Sequence, residues 1–386
     1  MTQRHAEIAG GGTGGLGIGL MLARKGWSVR IHERSPVIRE IGAAISLRNN
    51  SISVLERCEA FDRLRPEGSL LSREQHFDRR GRLLQERVTT GQRTIILPRQ
   101  ILVEGLAAAA REAGAEIVLS STIVSADASG ALIDATGRRF GADLAIAADG
   151  LHSKIRAALG LQATVRELGT RINRFLVPTQ EFTTADTKVE HWSGERRVGI
   201  LPAGPGRSLI YTVMSARDQA ACRLPIDVGN WTRAYPMLEP VFKLLAQQDT
   251  TQFSYPLVRC RSWHCGRVAL IGDAAHAMPP TLGQGAGLTL MNGYALSELV
   301  SGSFDVATAL SMWETAVREI TDATQRWSLR YDRITGNLPR GLGALRPHVI
   351  WTIGRFKPLY ERMRVADLGL PLIEQKIREA YGPTAT

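Results

Sequence analysis

The run Gly10-Gly11-Gly12-Thr13-Gly14-Gly15 constrains this chain more than any other. It follows directly on residues 6–9, a short apolar stretch of the buried-strand type. It precedes residues 16–25, where Leu16, Ile18, Leu20, Met21, Leu22 and Ala23 give a helical apolar pattern. Gly26 stands where a helix-terminating glycine belongs, and residues 27–32 read as a second strand ending in Glu33. Gly10, Gly12 and Gly15 occupy the defining places of G-x-G-x-x-G, with Gly14 in the same turn. Gly10 permits the tight turn, Gly12 lets the backbone approach a pyrophosphate, and Gly15 lets the helix pack close to the sheet. The free N–H groups at the helix start then face negative charge. Glu33, with Arg34 beside it, stands at the second strand's end, where an acid accepts ribose hydroxyls. An acid there favours an unphosphorylated adenosine ribose, hence NAD or FAD over NADP. A glycine-rich turn alone can be purely steric. Strand, turn, helix, strand and acid in order make this one a dinucleotide site.

Composition narrows the class further. A length of 386 residues suggests two or three domains, and 44% hydrophobic with 22% charged residues excludes global disorder. The four cysteines are too sparse for a disulfide framework and fit a reducing compartment. Cys260 and Cys265 bracket His264, but no second ligand pair accompanies them, so no metal site is expected. No apolar stretch is long enough to span a bilayer, and no leader-like run precedes the first strand; the expected location is the cytoplasm. The net charge of +11 comes from 48 Lys+Arg against 37 Asp+Glu, without a basic block. That pattern suits small anionic partners, namely a dinucleotide, a second dinucleotide and a carboxylate substrate, better than nucleic acid.

Two further segments refine the dinucleotide reading. Residues 144–148 form a buried-type strand followed by Asp149-Gly150-Leu151-His152-Ser153-Lys154-Ile155-Arg156. Residues 268–271 form another, followed by Gly272-Asp273-Ala274-Ala275-His276-Ala277-Met278-Pro279-Pro280, then Gly283-Gln284-Gly285-Ala286-Gly287 and a helix through Val300. With the first motif, these resemble the single-component flavoprotein aromatic hydroxylases, the family that includes salicylate and para-hydroxybenzoate hydroxylases, over most of residues 6–330. The resemblance implies FAD as cofactor, NADH or NADPH as reductant, and O2 as co-substrate. It implies oxygen transfer to an electron-rich ring carbon through a flavin C4a-hydroperoxide, with no obligatory protein nucleophile. It assigns Asp149 and Arg156 to the segment tied to FAD and nicotinamide binding, Asp273 to the ribityl-phosphate portion, and Arg99 to a helix opening beside the FAD. Asp273 also has a plain reading as a helix N-cap. The loop at Gly283, Gly285, Ala286 and Gly287 opens a helix whose positive end can stabilise a reduced flavin ring, and Pro280 can wall that ring. His276 reads as a structural hydrogen-bonder.

Departures from the family pattern are Ala44, where many members have Gly, Asn49, where many have Pro, and Met291-Asn292-Gly293, where most have an acidic pair. Asn292, Ser297 and residues 314–322 look most like the pyridine-ring oxygenases, which add oxygen beside the ring nitrogen and open the ring. That likeness implies a small aromatic or pyridine acid as substrate.

Residues 165–260 change character, with strand-like stretches at 175–178, 188–192, 197–201 and 208–214 and a helix over 230–247. A helix is also expected over residues 50–64. Trp192, Arg197 and Tyr211 are the candidate substrate contacts. Arg197 shares a strand face with Gly199 and Leu201 and could grip a carboxylate; Tyr211 could bond a ring hydroxyl. An arginine on a sheet, however, more often simply faces water.

The expected architecture is α/β. A Rossmann-like FAD-binding domain comprises residues 1–70, 96–164 and 261–338. A mostly antiparallel substrate domain comprises 71–95 and 165–260, and a helical segment 339–386 includes an amphipathic stretch at 349–356 suited to packing on the body or in a homodimer. Rivals are a salicylate/hydroxybenzoate-type phenolic acid hydroxylase, a non-oxygenase FAD-dependent reductase or halogenase of the same fold, and a basic binding protein without chemistry. Glu33, Asp149 and Asp273 argue against the last, since acids around a groove repel phosphate.

Overall fold

The computed structural model describes residues 3–40, 42–88, 93–302, 305–336 and 361–382. Its first sheet has six strands in the order His264–Cys265, Val268–Leu270, Leu144–Ala147, His5–Ala9, Ser28–His32, Glu116–Val118. Ile8 pairs with Ile146 on one side and Ile31 on the other, all in parallel register; only the hairpin at His264–Cys265 runs antiparallel. Leu144–Ala147 is buried throughout, as a strand covered on both faces must be. Helix Thr13–Arg24 packs against helices Arg99–Glu112 and Gly285–Val300, while a three-stranded meander over Ile123–Asp127, Ala131–Asp134 and Arg139–Gly141 packs beside His5–Ala9.

The carboxyl ends of the central strands converge. Gly10 N–H donates to the His32 carbonyl at 2.8 Å, Ala148 N–H to Ala9 at 2.8 Å, and Ile271 N–H to Ala147 at 3.0 Å. The glycine-rich turn, the Asp149 segment and the Asp273 segment therefore lie side by side, at the edge where open α/β sheets bind ligands.

A second sheet has seven strands, in the order Gln252–Cys260, Ala163–Val177, Ser208–Ser215, Arg196–Pro202, Thr187–Ser193, Arg73–Asp78, Leu83–Val88. All neighbours are antiparallel except Thr187–Ser193 with Arg73–Asp78. Three of its strands fall where the alternation placed them. The fourth corrects the sequence reading, because Ala163–Val177 begins twelve residues before the expected 175. Its first half is polar and largely exposed, so no alternation marks it; pairing on both sides makes it a strand, with an irregularity between Glu167 and Arg171.

One face of this sheet presents Phe175, Val198, Ile200, Ile210 and Met214 to Trp231, Tyr235 and Phe242. Burying each such aromatic contributes roughly 2–3 kcal/mol. The helix expected over 230–247 is instead Val228–Ala234 and Glu239–Leu245, separated at Pro236, which cannot continue the hydrogen-bond ladder. The helix expected over 50–64 is likewise split into Asn49–Arg57 and Phe61–Leu64, with Glu59 at a left-handed φ of 50°.

A small sheet of Ala44–Arg48, Thr94–Pro98 and Ser69–Leu70 lies in the same fold. Helix Leu370–Tyr381 returns to the main core, where Ile373 and Ile377 are buried. The stretch at 349–356, and the dimer contact expected of it, lie outside the described residues. No helix among the described residues is long and apolar enough to cross a membrane.

Candidate functional site: a dinucleotide crevice facing a polar sheet

The glycine turn is shaped by contact on one side and open space on the other. A Cβ on Gly15 would sit 1.8 Å from the Gly10 carbonyl oxygen, so only glycine lets the helix start so close to the turn. Gly10 has φ +109°, and a Cβ there would sit 2.3 Å from the Ala148 oxygen. A Cβ on Gly14 would press on Thr289 at 3.0 Å, whereas one on Gly12 would meet only the Glu40 carboxylate, at 3.6 Å. The backbone at Gly12 thus stands clear for close approach.

Glu33 is aimed by two backbone donors. Gly11 N–H donates to one carboxylate oxygen at 2.7 Å and Ser35 N–H to the other at 2.8 Å. Arg34 beside it is exposed. Arg99 opens helix Arg99–Glu112 and donates to Glu40 at 2.9 Å; its Nε is buried without a partner. Gln100 holds the same loop, accepting from Glu40 N–H at 3.1 Å and donating to the Ile38 carbonyl at 2.9 Å. Burial pushes the Glu40 carboxyl up against the pull of Arg99, with Asp273 and Glu33 adding to the rise. Ala44 is buried at the start of its strand, opposite Pro98.

Asp273 resolves its two sequence readings geometrically. The N-cap of helix Asp273–His276 is Gly272, at φ 64°, and not Asp273. Among the described residues the Asp273 carboxylate has no hydrogen-bond or ion-pair partner. It is solvent-accessible yet enclosed by protein, and burial raises its pKa against the opposing pull of Arg99. Asp149 accepts from Lys154 N–H at 2.9 Å with one oxygen, while the other is buried and unpartnered. Arg156 is a strut: it donates to the carbonyls of Ala274 at 2.7 Å and Leu151 at 3.1 Å, tying the two loops together. His276 is buried, its pKa pushed down to about 4 by loss of water, and it bonds Asn292 at 3.1 Å. Pro280 starts a 3-10 turn that ends at Gly283, left-handed at φ +64°. Gly285, Ala286 and Gly287 then open helix Gly285–Val300, and a Cβ on Gly285 would meet nothing within 4 Å.

The polar face of the second sheet carries the other half of the site. Trp192 pairs with Arg197, Gly199 lies between Glu190 and Tyr211, and Arg174 pairs with Tyr211. Gly199 is needed: a Cβ there would sit 2.0 Å from the Tyr211 ring, which crosses the strand to donate its hydroxyl hydrogen to Glu190. Lys188 Nζ at 3.3 Å and His76 at 3.7 Å flank the same carboxylate. Burial opposes charge on Glu190, but Lys188, His76, Arg197 and the Tyr211 bond hold its pKa well below the usual carboxylate range.

Arg197 is only 3% exposed, with its guanidinium 5.0 Å from the Trp192 ring centroid and 3.5 Å from the Tyr255 hydroxyl. It forms the site's wall. Arg174 is the more accessible cation. It is half-buried, no carboxylate pairs with it among the described residues, and burial and the positive charge of Arg99 pull its pKa down to about 10. The sequence reading missed Arg174, Glu190, Glu40 and Tyr255. Arg174 falls one residue before the stretch recognised as strand, and its alternation with Ile172 and Leu176 was the available signal. A separate cavity of about 450 Å3, lined by residues that include Arg30, His32, Arg138 and Phe140, contains none of these groups.

Comparison with known proteins agrees with this geometry. Residues 4–302 match the family described as FAD binding domain. The 2-heptyl-3-hydroxy-4(1H)-quinolone synthase of Mycobacteroides abscessus is 34% identical over 370 residues, covering 92% of this chain and 96% of that protein. The tetrameric form of 2-methyl-3-hydroxypyridine-5-carboxylic acid oxygenase superposes with a TM-score of 0.82 at 31% identity, covering 90% of this chain and 96% of that one. Klebsiella pneumoniae HpxO, complexed with FAD and uric acid, shares the fold, with a TM-score of 0.81 at 22% identity over 95% of this chain and 98% of its own. The chain belongs to the FAD binding domain family and is an FAD-dependent monooxygenase.

Proposed function

We propose that this enzyme oxygenates a hydroxylated N-heteroaromatic acid, drawing electrons from NADH or NADPH and oxygen from O2. The observation that carries the acid is Arg174, a half-buried cation without a carboxylate partner among the described residues, paired in register with Tyr211 and under the electrostatic influence of Arg99. The names of two relatives support the ring class: one makes a hydroxyquinolone, and the other oxygenates a hydroxypyridine carboxylic acid.

The crevice fits FAD by its own chemistry. The turn at Gly10, Gly12, Gly14 and Gly15 would take the pyrophosphate, and Glu33, with Arg34 alongside, the adenosine ribose. Arg99 and Asp149, each with a buried polar atom free of protein partners, together with Asp273 would hold the ribityl-phosphate portion. Ala44, Pro280, Gly283, Gly285, Ala286 and Gly287 would wall the ring. Bound there, FAD supplies electron transfer from nicotinamide and activation of O2.

The chain's own residues do the rest. Arg174 grips the substrate carboxylate. The Tyr211 oxygen accepts the ring hydroxyl's hydrogen bond while its own proton is held toward Glu190, which favours an electron-rich ring. Arg197, Trp192 and Tyr255 close the wall against water, and the start of helix Gly285–Val300 places positive dipole where negative charge develops.

A second reading takes an uncharged alkyl-quinolone. The apolar wall of Leu71, Ile96, Leu201 and Leu209 beside Tyr211 favours it. Steady-state kinetics on a hydroxypyridine carboxylate and its primary amide, in the wild type and Arg174→Ala, separates the two. Losing a buried Arg–carboxylate contact costs about 2–5 kcal/mol, so KM for the acid should rise at least ~30-fold while FAD content and KM for the amide stay unchanged. Equal turnover of acid and amide, with an alkyl-4-quinolone preferred to both, would leave the second reading standing.

A further inference from the structure

We infer that Asp367, on the C-terminal segment, is a positioning residue for the flavin: through Gln284 and Arg48 it fixes the loop that walls the ring. This rests on the flavin placement proposed above. Asp367 lies in the 3-10 turn Val365–Leu368, far in sequence from every glycine motif, and is buried. Its carboxylate accepts from Gln284 Nε2 and pairs with Arg364, with Arg48 Nε at 3.4 Å. Gln284, only 1% exposed, sits between Gly283 and Gly285 in the middle of the loop.

The contacts close a circuit around the loop. The Gln284 carbonyl oxygen accepts from Asn50 Nδ2 at 3.0 Å, and Asn49 Nδ2 donates to the Asp367 backbone carbonyl at 3.2 Å. Arg48 also donates to the Leu282 carbonyl, at 3.5 Å, next to the left-handed Gly283. Asn50 fills the space where a side chain on Gly287 would go: a Cβ there would sit 2.4 Å from its oxygen. Loop residues 282 and 284 are therefore held by this one network and Asn50 packs against Gly287, while nothing lies within 4 Å of the Cβ position of Gly285. Burial pushes the Asp367 carboxyl up, and Arg48 and Gln284 oppose that rise. Neutralising it removes a buried negative charge beside Arg48 and Arg364 and weakens the acceptor that Gln284 Nε2 uses. The loop then loses the fixed orientation that lets its N–H groups stabilise charge on a reduced ring.

The test uses the full chain titrated with FAD by flavin fluorescence, followed by the reduction potential of the bound flavin. Glu374→Gln is the control. It loosens the same tail, where Glu374 bonds Tyr294 at 3.1 Å and Arg57 at 2.9 Å, without touching the loop. Asp367→Asn should weaken FAD binding about tenfold or more with an unchanged far-UV spectrum. It should weaken reduced FAD about tenfold further than oxidised, which lowers the two-electron potential by ~30 mV. Glu374→Gln should leave the potential unmoved. Gln284→Leu, which keeps volume but removes the donor, should repeat the Asp367→Asn result even where Asp367→Asn itself does not fold. Unchanged potential in Gln284→Leu, or an equal change in Glu374→Gln, overturns the proposal. Failure of the wild type to bind FAD instead removes the flavin reading beneath it.

Discussion

Asp273 and His276 stand three residues apart on one short helix and have opposite characters. The Asp273 carboxylate has no partner in the protein among the described residues, so removing it costs the fold little. Asp273→Asn should keep its unfolding midpoint and purify largely free of FAD; full flavin occupancy, read from the ratio of visible to ultraviolet absorbance, would refute the assignment. His276 works for the fold. Its native pKa is depressed from 6.5 to about 4 by burial, so the unfolded chain takes up a proton first as pH falls. Stability should therefore drop as pH goes from about 6.5 to 4, by up to ~3 kcal/mol from this group. Urea unfolding across that range should show a shallower pH dependence in His276→Gln, and an unaltered slope would contradict this. Glu33, Asp149 and Asp273 were legible in the sequence because each follows its strand within a few residues. Glu190 and Arg174 were not, because strand pairing brings them to Tyr211 from 21 and 37 residues away in the chain.

The turn at residues 10–15 depends on missing Cβ atoms at Gly10 and Gly15, and the strand Arg196–Pro202 on one at Gly199. Gly15→Ala would force helix Thr13–Arg24 off the Gly10 carbonyl, and the expected result is loss of FAD binding together with a lower melting temperature. Gly199→Ala strikes elsewhere, displacing the Tyr211 ring from Glu190. That variant should keep FAD and lose at least ~tenfold in kcat/KM, the scale of one positioned acid–base contact. Retained kcat/KM would remove the Tyr211–Glu190 pair from the site. Periodicity located strands 197–201 and 208–214 because one face of each is apolar, while 188–192 was marked by the glycines and prolines that bound the hairpins around it. It could not locate the exposed half of Ala163–Val177, nor Gln252–Cys260, where polar residues interrupt the alternation. It joined helices that Glu59 and Pro236 separate, since apolar spacing continues across both breaks.

The whole molecule sets a parallel sheet that ends in a dinucleotide crevice against an antiparallel sheet whose polar face carries cations. The excess of arginine seen in the composition is in part local, since Arg99 lies near enough to Arg174 to help lower its pKa. The tail adds what no motif announced, an aspartate that reaches the Gly283–Gly287 loop from more than eighty residues away. On this reading the assembly couples nicotinamide oxidation to oxygen insertion into an N-heteroaromatic acid. That coupling is tested most directly by NADH and NADPH consumption on the FAD-loaded enzyme, with and without hydroxypyridine carboxylates and hydroxybenzoates, and with products weighed by mass spectrometry. A hydroxypyridine carboxylate should stimulate oxidation and leave as a product carrying oxygen from O2. Flavin bound in full, with no carboxylated ring stimulating oxidation or gaining oxygen, would contradict it.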